Sequence, residues 1–210
     1  KTIFENFLSD GGSFENVKVE SLDAENPLIV KSAEVRTFYD NVVICCGHLS
    51  GQLLEPLGYK VPLVAERGYH VEMDHSELSF DMPVGSYERG CYLTPMLSGL
   101  RVAGTSEFVP PSKEPEPNWA RAEILQRHVE QLLPGIVLKR ESRWVGHRPT
   151  LPDFLPVIGP VPNSPGVFAA FGHHHLGLTL SAITATMLLD LMCTTKAHPY
   201  LDKLQLDRFQ

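Results

Sequence analysis

The segment Gly146-His147-Arg148-Pro149 contains an arginine with the surroundings of a carboxylate-binding group. The guanidinium of Arg148 is a planar fork that can hold a carboxylate through two parallel hydrogen bonds, which a lysine cannot do. A predicted strand precedes Arg148 and a proline-rich loop follows it, so we expect the backbone on both sides to be stiff. Taken alone, an arginine of this kind could equally form an ordinary surface ion pair, and both alternatives stay open at this point.

The segment Phe171–Thr179 opens the last predicted helix and contains two glycines and three histidines. The first N–H groups of a helix have no partners within it and carry a partial positive charge, so this position suits an anionic group. Gly172 and Gly177 allow the backbone to approach such a group closely. A metal site is not predicted, because the adjacent side chains of His173–His175 diverge by about 100° per residue on a helix.

Three further polar residues lie in a region where apolar and polar side chains alternate. Tyr92, two residues before Thr94, is either an active-site phenol or an ordinary strand aromatic. Tyr69 and His70, in the segment Arg67-Gly-Tyr-His70, leave the same two alternatives open.

The first 60 residues contain the elements that must position these groups from one side. Apolar residues at helical spacing begin the chain, and two short alternating stretches before residue 36 indicate strands. The apolar run 42–46, closed by Gly47, is typical of a strand buried on both faces that ends in a sharp turn. Residues 52–60 predict a short helix that ends at Gly58.

The remaining residues predict a different kind of layer. Alternating hydrophobicity between Val61 and Phe108 indicates an antiparallel sheet, and a proline-rich connection at 109–117 leads to a helix over 118–133. The chain then continues through predicted elements in this order: a strand at 141–147, a proline-rich loop at 149–165, a strand at 167–171 and the final helix.

This order of elements predicts a mixed α/β fold of the α+β class, in which one domain is inserted into another. We expect residues 1–60 to form part of a nucleotide-binding domain and residues 61–145 to form an antiparallel sheet domain with one helix. Residues 146–210 return to the first domain and end in a C-terminal helix.

The composition is typical of a folded protein and limits the kinds of partner it can have. Of 210 residues, 43% are hydrophobic and 20% charged, and the net charge of −7 argues against nucleic acid as a partner. We expect buried thiols at Cys45, Cys46, Cys91 and Cys193, because none shows C-x-x-C spacing. The stretch Phe154–Leu189 has no charged residue, and its second half predicts a buried helix rather than a membrane span.

Four motifs occur in a specific order along the chain: Gly47-x-x-Ser50, Arg67-Gly-Tyr-His70, Gly146-x-Arg-Pro-x-x-Pro-Asp-x-x-Pro-x-Ile-Gly159 and Gly172-His-x-x-x-Gly177. In combination they resemble the carboxyl-terminal half of the FAD-dependent amine oxidoreductases of the D-amino-acid oxidase superfamily. The closest likeness is to bacterial D-amino-acid dehydrogenases, followed by glycine oxidases.

The resemblance implies roles for the residues singled out above. It places Arg148 at the substrate carboxylate, with Tyr92, Tyr69 and His70 as further substrate contacts and Tyr92 as a catalytic candidate. It implies non-covalent FAD, since Gly146 stands where relatives with covalent flavin carry a cysteine. The implied flavin contacts are Gly47, Gly172, His173, His174, His175, Gly177, Leu178 and Thr179. The implied reaction is hydride transfer from the substrate Cα to the flavin, giving an imino acid that water hydrolyses.

One motif of FAD-binding proteins is absent from the sequence. No G-x-G-x-x-G follows a predicted strand, so we expect a piece of a longer enzyme that holds no FAD and has no activity alone. The expected partners are an N-terminal half of the same protein, an amino acid or amine, and a quinone or other electron acceptor. The expected location is the cytoplasm or the periphery of the inner membrane. A glycine- or sarcosine-oxidase-like enzyme and a non-catalytic interaction module that retains the fold stay open as alternatives.

Overall fold

The computed structural model describes residues 2–24, 28–32, 35–74, 80–110, 115–135, 141–194 and 198–209. Its helices are α1 (Thr2–Ser9), α2 (Ser50–Leu54), α3 (Ala120–Leu132) and α4 (Gly177–Cys193). Its strands are β1 (Val19–Asp23), β2 (Leu28–Ser32), β3 (Arg36–Tyr39), β4 (Val42–Ile44), β5 (Val64–Met73), β6 (Val84–Ser86), β7 (Cys91–Met96), β8 (Gly99–Val109), β9 (Glu141–Thr150), β10 (Val157–Pro160) and β11 (Val167–Phe171). Residues 111–114 of the predicted proline-rich connection lie outside the described ranges.

A five-stranded sheet forms the middle of the chain, with strand order β6-β7-β8-β5-β9. All four of its strand pairs are antiparallel, which confirms the fold class expected from the alternating pattern. β9 pairs with β5 from Glu141 to Thr150 and so crosses the predicted domain boundary between residues 145 and 146. The division into three domains otherwise stays a prediction.

This sheet has a covered face and an open face, because successive side chains of a strand point to opposite sides. The covered face packs against α3 through buried side chains: Tyr69, Val71, Met73, Leu93, Val102, Leu125 and Val129. The open face carries the residues that alternate with these along the strands, together with the register partners of those alternating residues: Glu66, Gly68, His70, Tyr92, Trp144 and Arg148. α3 covers one face only, because its apolar residues recur at the three- and four-residue spacing of a single stripe.

A second, three-stranded sheet has the order β10-β11-β4. β4 runs parallel to β11, whereas β10 runs antiparallel to it. β10 lies within residues 149–165, where the sequence predicted only a loop. Proline is tolerated there because Pro160 is the last residue of an edge strand, where no ladder hydrogen bond is lost.

The amino-terminal region contains α1 and a small antiparallel sheet of β1, β2 and β3. α1 and two of the strands agree with the sequence prediction, but β3 was not predicted. β3 is four residues long and mostly exposed, so it lacks the alternation that marks a half-buried strand.

Two burial predictions are wrong. Cys45 and Cys46 are exposed, because β4 ends at Ile44 and these adjacent cysteines lie beyond it. Cys193 is also exposed, whereas Cys91 is buried. α4 is largely exposed rather than buried. Among the described helices, the stretch His174–Cys193 alone is long and apolar enough to cross a membrane by length and composition, with a mean hydropathy of 1.7.

The hydroxyl of Tyr69 anchors the start of α3 to the covered face. It donates to Glu107 Oε1 at 2.5 Å and accepts from the backbone N–H of Asn118 at 2.7 Å. Burial and the hydrogen bond to Glu107 raise the pKa of the Tyr69 phenol, so the phenol stays protonated and donates at neutral pH.

Replacing Tyr69 by phenylalanine should lower the free energy of unfolding by about 1–3 kcal/mol, because two part-buried hydrogen bonds are lost. The matched control is Tyr92→Phe on the open face, where the ring is 64% exposed, with an expected change within about 0.5 kcal/mol. Urea unfolding followed by circular dichroism measures both. Equal stability of the Tyr69 variant and the wild type would show that the hydroxyl does not anchor α3.

Candidate functional site

Arg148 lies on the open face of the five-stranded sheet, near one end of β9. Its Nη1 donates to Oε1 of Glu66 at 3.0 Å, and Glu66 is its register partner on β5. The guanidinium leans over Gly68, where a Cβ would overlap Nη2 of Arg148. The side chain remains 30% exposed. The structure therefore fixes the plane of the guanidinium and leaves part of it open to a ligand.

Glu66 is a site residue that the sequence analysis missed. Its second carboxylate oxygen is hydrogen-bonded to Nε2 of His174, so one carboxylate links Arg148 on the sheet to the turn before α4. A carboxylate directly after the apolar residues Leu63, Val64 and Ala65 could have been noticed as unusual. Its partners could not, since they lie 82 and 108 residues away along the chain.

The two hydrogen-bond partners of Glu66, Arg148 and His174, determine the direction of its pKa shift. Burial by itself raises the pKa of the Glu66 carboxyl. The hydrogen bond from His174 and the charges of His174 and Arg148 outweigh burial, so the pKa lies below its ordinary value. Glu66 is therefore ionised at neutral pH and holds its two partners by charge-assisted hydrogen bonds.

The turn that carries His174 has a constrained backbone. Gly172 has φ +84°, and His174 adopts φ 53° although it is not a glycine. Phe154, also at positive φ, packs its ring edge-to-face on the His174 imidazole at 5.6 Å. Such conformations cost free energy and persist where surrounding contacts impose them. Here the hydrogen bond to Glu66 and the ring of Phe154 are those contacts.

The first turn of α4 lies at the surface, directly after the constrained turn. Leu176 at its start makes no side-chain capping hydrogen bond, and the first turn contains no acidic residue. Gly177, Leu178 and Thr179 are exposed, Leu178 to 91%. An uncapped and exposed helix start of this kind fits the anionic pyrimidine edge of a flavin. His175 is exposed beside it.

The two glycine turns lie at the same edge of the three-stranded sheet, because they follow the parallel strands β4 and β11. In open α/β layers, ligands bind at the carboxyl ends of such strands. Gly47 has φ +57° and open space around it, as a close approach requires. Gly172 is buried, and a Cβ there would overlap the Leu151 side chain, so this glycine serves the turn and its packing.

Both glycine turns contact β9, although from different sides. His48, next to Gly47, stacks on His147 with ring centroids 4.7 Å apart. His147 alternates with Arg148 along β9, so its side chain points away from the open face. His174 approaches Glu66 on the open face itself. The carboxyl-terminal end of β9 is thus held between the two turns.

Two predicted site residues do not face the candidate site. Tyr69 lies fully buried on the covered face, and its hydroxyl is already committed to Glu107 and Asn118, which corrects its assignment as a substrate contact. The His173 ring turns towards α4, where Nε2 lies 2.9 Å from Oγ1 of Thr184. Burial lowers the pKa of His173, so its ring is neutral at pH 7. The contact with Thr184 gives this ring a structural role rather than a flavin contact.

The other two predicted substrate contacts share the open face with Arg148. Tyr92 lies over Gly85, where a Cβ would come within 2.9 Å of the tyrosine ring. His70 stacks on Trp144 at a centroid distance of 3.8 Å. Burial, together with the charges of Arg148 and Arg101, lowers the pKa of His70 to about 4, so its ring is neutral at pH 7. Within the described residues, no three His, Cys, Asp or Glu side chains are grouped to hold a metal ion.

Replacing Glu66 by glutamine should destabilise the protein by about 1–2 kcal/mol at pH 7, because two charge-assisted hydrogen bonds are weakened. A carboxyl whose folded-state pKa is lowered contributes stability above its ordinary pKa and loses it as the pH falls through the folded-state value. The difference in free energy of unfolding between wild type and variant, here called the stability gap, should therefore narrow below about pH 4.5, which is the ordinary pKa of this carboxyl. Urea unfolding at a series of pH values from 7 to 3 measures it.

The matched control is Glu72→Gln on the same strand. Glu72 pairs with Arg101 at 2.9 Å but does not reach the turn before α4. We expect a smaller gap at pH 7, within about 1 kcal/mol for an exposed pair. A gap for Glu66→Gln that is constant with pH would contradict the proposed ionised link.

Comparison with known proteins identifies the relatives of this chain. The family described as FAD dependent oxidoreductase (DAO) matches residues 2–191. A D-amino-acid oxidase of Bradyrhizobium diazoefficiens is 38% identical over 157 residues, which are 73% of this chain and 37% of that protein. A glycine oxidase of Pseudomonas aeruginosa is 32% identical over 156 residues, 73% of this chain and 42% of that protein. The chain therefore spans less than half the length of these curated relatives.

Solved structures show the same fold. Glycine oxidase from Geobacillus kaustophilus has a TM-score of 0.80 at 22% identity, covering 95% of this chain and 54% of that one. L-proline dehydrogenase from P. horikoshii has a TM-score of 0.80 at 19% identity, covering 99% and 58%. Since the family match at residues 2–191 extends over nearly the whole sequence, the chain belongs to the FAD-dependent oxidoreductases of the DAO family.

Proposed function

We propose that this chain is the substrate-binding part of an FAD-dependent enzyme that oxidatively deaminates a D-amino acid. The observation that carries the proposal is the fixed and partly exposed guanidinium of Arg148, linked through Glu66 to the turn that opens α4. A guanidinium held in one plane suits a carboxylate ligand. Relatives named D-amino-acid oxidase and D-amino acid dehydrogenase support the substrate class.

Each residue of the site has a defined part in this proposal. Arg148 holds the substrate carboxylate and so fixes which way the Cα hydrogen points, which is a contribution from positioning. Glu66 keeps the guanidinium in place from the other side, and His174 holds Glu66. The exposed N–H groups at Gly177–Thr179, with the turn at Gly47, are the groups on this chain that would hold FAD without a covalent bond.

When bound, FAD supplies the acceptor for the hydride that leaves the substrate Cα. The amino group loses a proton to solvent as the imino acid forms, and water then gives the oxo acid and ammonia. The reaction needs no general base if the amine binds in its neutral form. We assign none among the described residues of the open face.

The proposal includes a larger polypeptide around the chain. The sequence lacks a G-x-G-x-x-G fingerprint, and the curated relatives are more than twice as long as the matched segments. β4 has a described strand neighbour on one side only, and α4 exposes Leu178, Ile183 and Leu189. We propose that the N-terminal half of the same protein packs against this edge of β4 and this side of α4, and that it would bring the pyrophosphate site.

The polar residues of α4 bear on the location of the protein. Its exposed side mixes Ser181 and Thr186 with the apolar side chains, which suits packing against protein better than insertion into lipid. We therefore place the enzyme in the cytoplasm or at the periphery of the inner membrane, where a quinone or another oxidant would take the electrons from reduced flavin.

A glycine-oxidase-like activity is the second candidate, because relatives in the curated and structural comparisons carry that name. The two candidates differ in the side chain of the substrate. Reduction of the flavin by glycine and sarcosine but not by D-alanine would favour this second candidate. A protein that binds FAD but is reduced by no amine would be the non-catalytic module.

Replacing Arg148 by lysine in the natural polypeptide that contains this chain should raise the KM for the amino acid at least about 30-fold, because the bidentate grip on the carboxylate is lost. Arg121→Lys is the matched control, since Arg121 lies on the covered face beside Glu107 at 3.5 Å. Steady-state kinetics with D-alanine measure both variants. An unchanged KM for Arg148→Lys would remove Arg148 from the substrate site.

The 210-residue chain alone should bind FAD with a dissociation constant weaker than about 10 μM. The helix start of α4 and the turn at Gly47 contact only part of such a ligand, and each 1.4 kcal/mol of lost contact weakens binding about tenfold. Equilibrium dialysis of the chain against FAD measures the constant. Binding in the low micromolar range or tighter would show that these contacts suffice without a pyrophosphate site.

A further inference from the structure

A pair of glycines forms the floor of the open face between Arg148 and Trp144. Gly68 on β5 and Gly146 on β9 are register partners, so two positions without side chains lie directly opposite each other. The Arg148 guanidinium leans over Gly68 from one side. The Trp144 indole leans over Gly146 from the other, within 3.0 Å of the place a Cβ would take.

This arrangement brings together two groups that are distant along the strand. Arg148 and Trp144 are four residues apart on β9, which corresponds to about 13 Å between their Cα atoms. Both side chains fold inward over the same pair of glycines, so the cationic fork and the indole ring flank one point on the sheet. A ligand whose carboxylate is held by Arg148 therefore has its next atoms beside the indole.

The indole is held rigidly and remains accessible. The neutral imidazole of His70 lies parallel to it, with an interplanar angle of 2°. The Arg101 guanidinium lies 5.8 Å from the ring centroid and is itself paired with Glu72. Trp144 nevertheless remains 40% exposed, and the more exposed Tyr92 is on the same sheet face.

We propose that Trp144 forms the side-chain subsite of this enzyme and selects amino acids with an aromatic or bulky apolar side chain. The inference rests on the proposed function, because it takes Arg148 as the carboxylate site. An aromatic ring on the substrate gains offset stacking and apolar contact with the indole, whereas the hydrogen or methyl of glycine or alanine gains little. His70 is a positioning residue, since its ring touches Trp144 rather than the ligand.

Kinetics of the natural FAD-loaded polypeptide test the subsite. In the wild type, kcat/KM for D-phenylalanine should exceed that for D-alanine. Trp144→Ala should lower kcat/KM for D-phenylalanine about 10- to 100-fold and that for D-alanine less than about threefold. Trp144→Phe should restore most of the preference, and Trp119→Phe, a tryptophan change beside the covered face, should leave the ratio unchanged.

Binding of unreactive carboxylates provides a second measurement that does not depend on turnover. Benzoate and acetate share the carboxylate and differ in the ring, and perturbation of the visible flavin spectrum reports their dissociation constants. Wild type should bind benzoate at least about tenfold more tightly than acetate. This ratio should fall towards one in Trp144→Ala and recover in Trp144→Phe, which also identifies any loss caused by misfolding.

The outcomes separate this inference from the proposed function. A wild type that is reduced by no amino acid contradicts the proposed function, while the ratio of benzoate to acetate binding still decides the subsite. Turnover with a phenylalanine-to-alanine ratio that is the same in wild type and Trp144→Ala overturns the subsite and leaves the proposed function standing.

Discussion

One carboxylate, that of Glu66, connects the two layers of the site and constrains both. It is largely buried, with 12% of its side chain exposed, and a carboxylate in that position must be paired or lose its charge. Arg148 satisfies one oxygen and His174 the other. The requirement therefore fixes the guanidinium over the sheet and the backbone of the turn before α4. Neither layer could shift without breaking a contact of the other.

The sheet topology explains why these groups can meet at all. β4 and β11 are parallel, so the turns at Gly47 and Gly172 leave the same sheet edge. β9 is an edge strand of the larger sheet, and both turns contact it. The contacts of β9 with both turns thus join the antiparallel sheet to the parallel pair.

The sequence predicted the antiparallel sheet and α3, because these depend on local periodicity. It did not predict the link through Glu66, because the partners of that residue come from distant segments. It also misjudged α4. An apolar composition indicates that a surface is covered, and in this chain the described residues cover only one side of the helix. Burial depends on every segment that packs there, and composition alone does not specify which segments those are.

The alternation of a strand also separates structural from functional residues within a single motif. In Arg67-Gly-Tyr-His70, the buried Arg67 points to the covered face, where its Nη2 donates to the carbonyl of Pro115 at 2.6 Å. Tyr69 points the same way, whereas Gly68 and His70 belong to the open face.

The arginines of the neighbouring strands β5 and β9 therefore have different roles, although each lies close to a glycine in the sequence. Arg67 is structural on the covered face, and Arg148 belongs to the site on the open face. Arg67 is in register with His147 and Glu66 with Arg148, so a one-residue shift of β5 against β9 would exchange the two faces. The buried hydrogen bond from Arg67 Nε to His147 Nε2 opposes that shift, since the shift would leave this N–H of a buried guanidinium unpaired. The covered face thus secures the register on which the position of Arg148 depends.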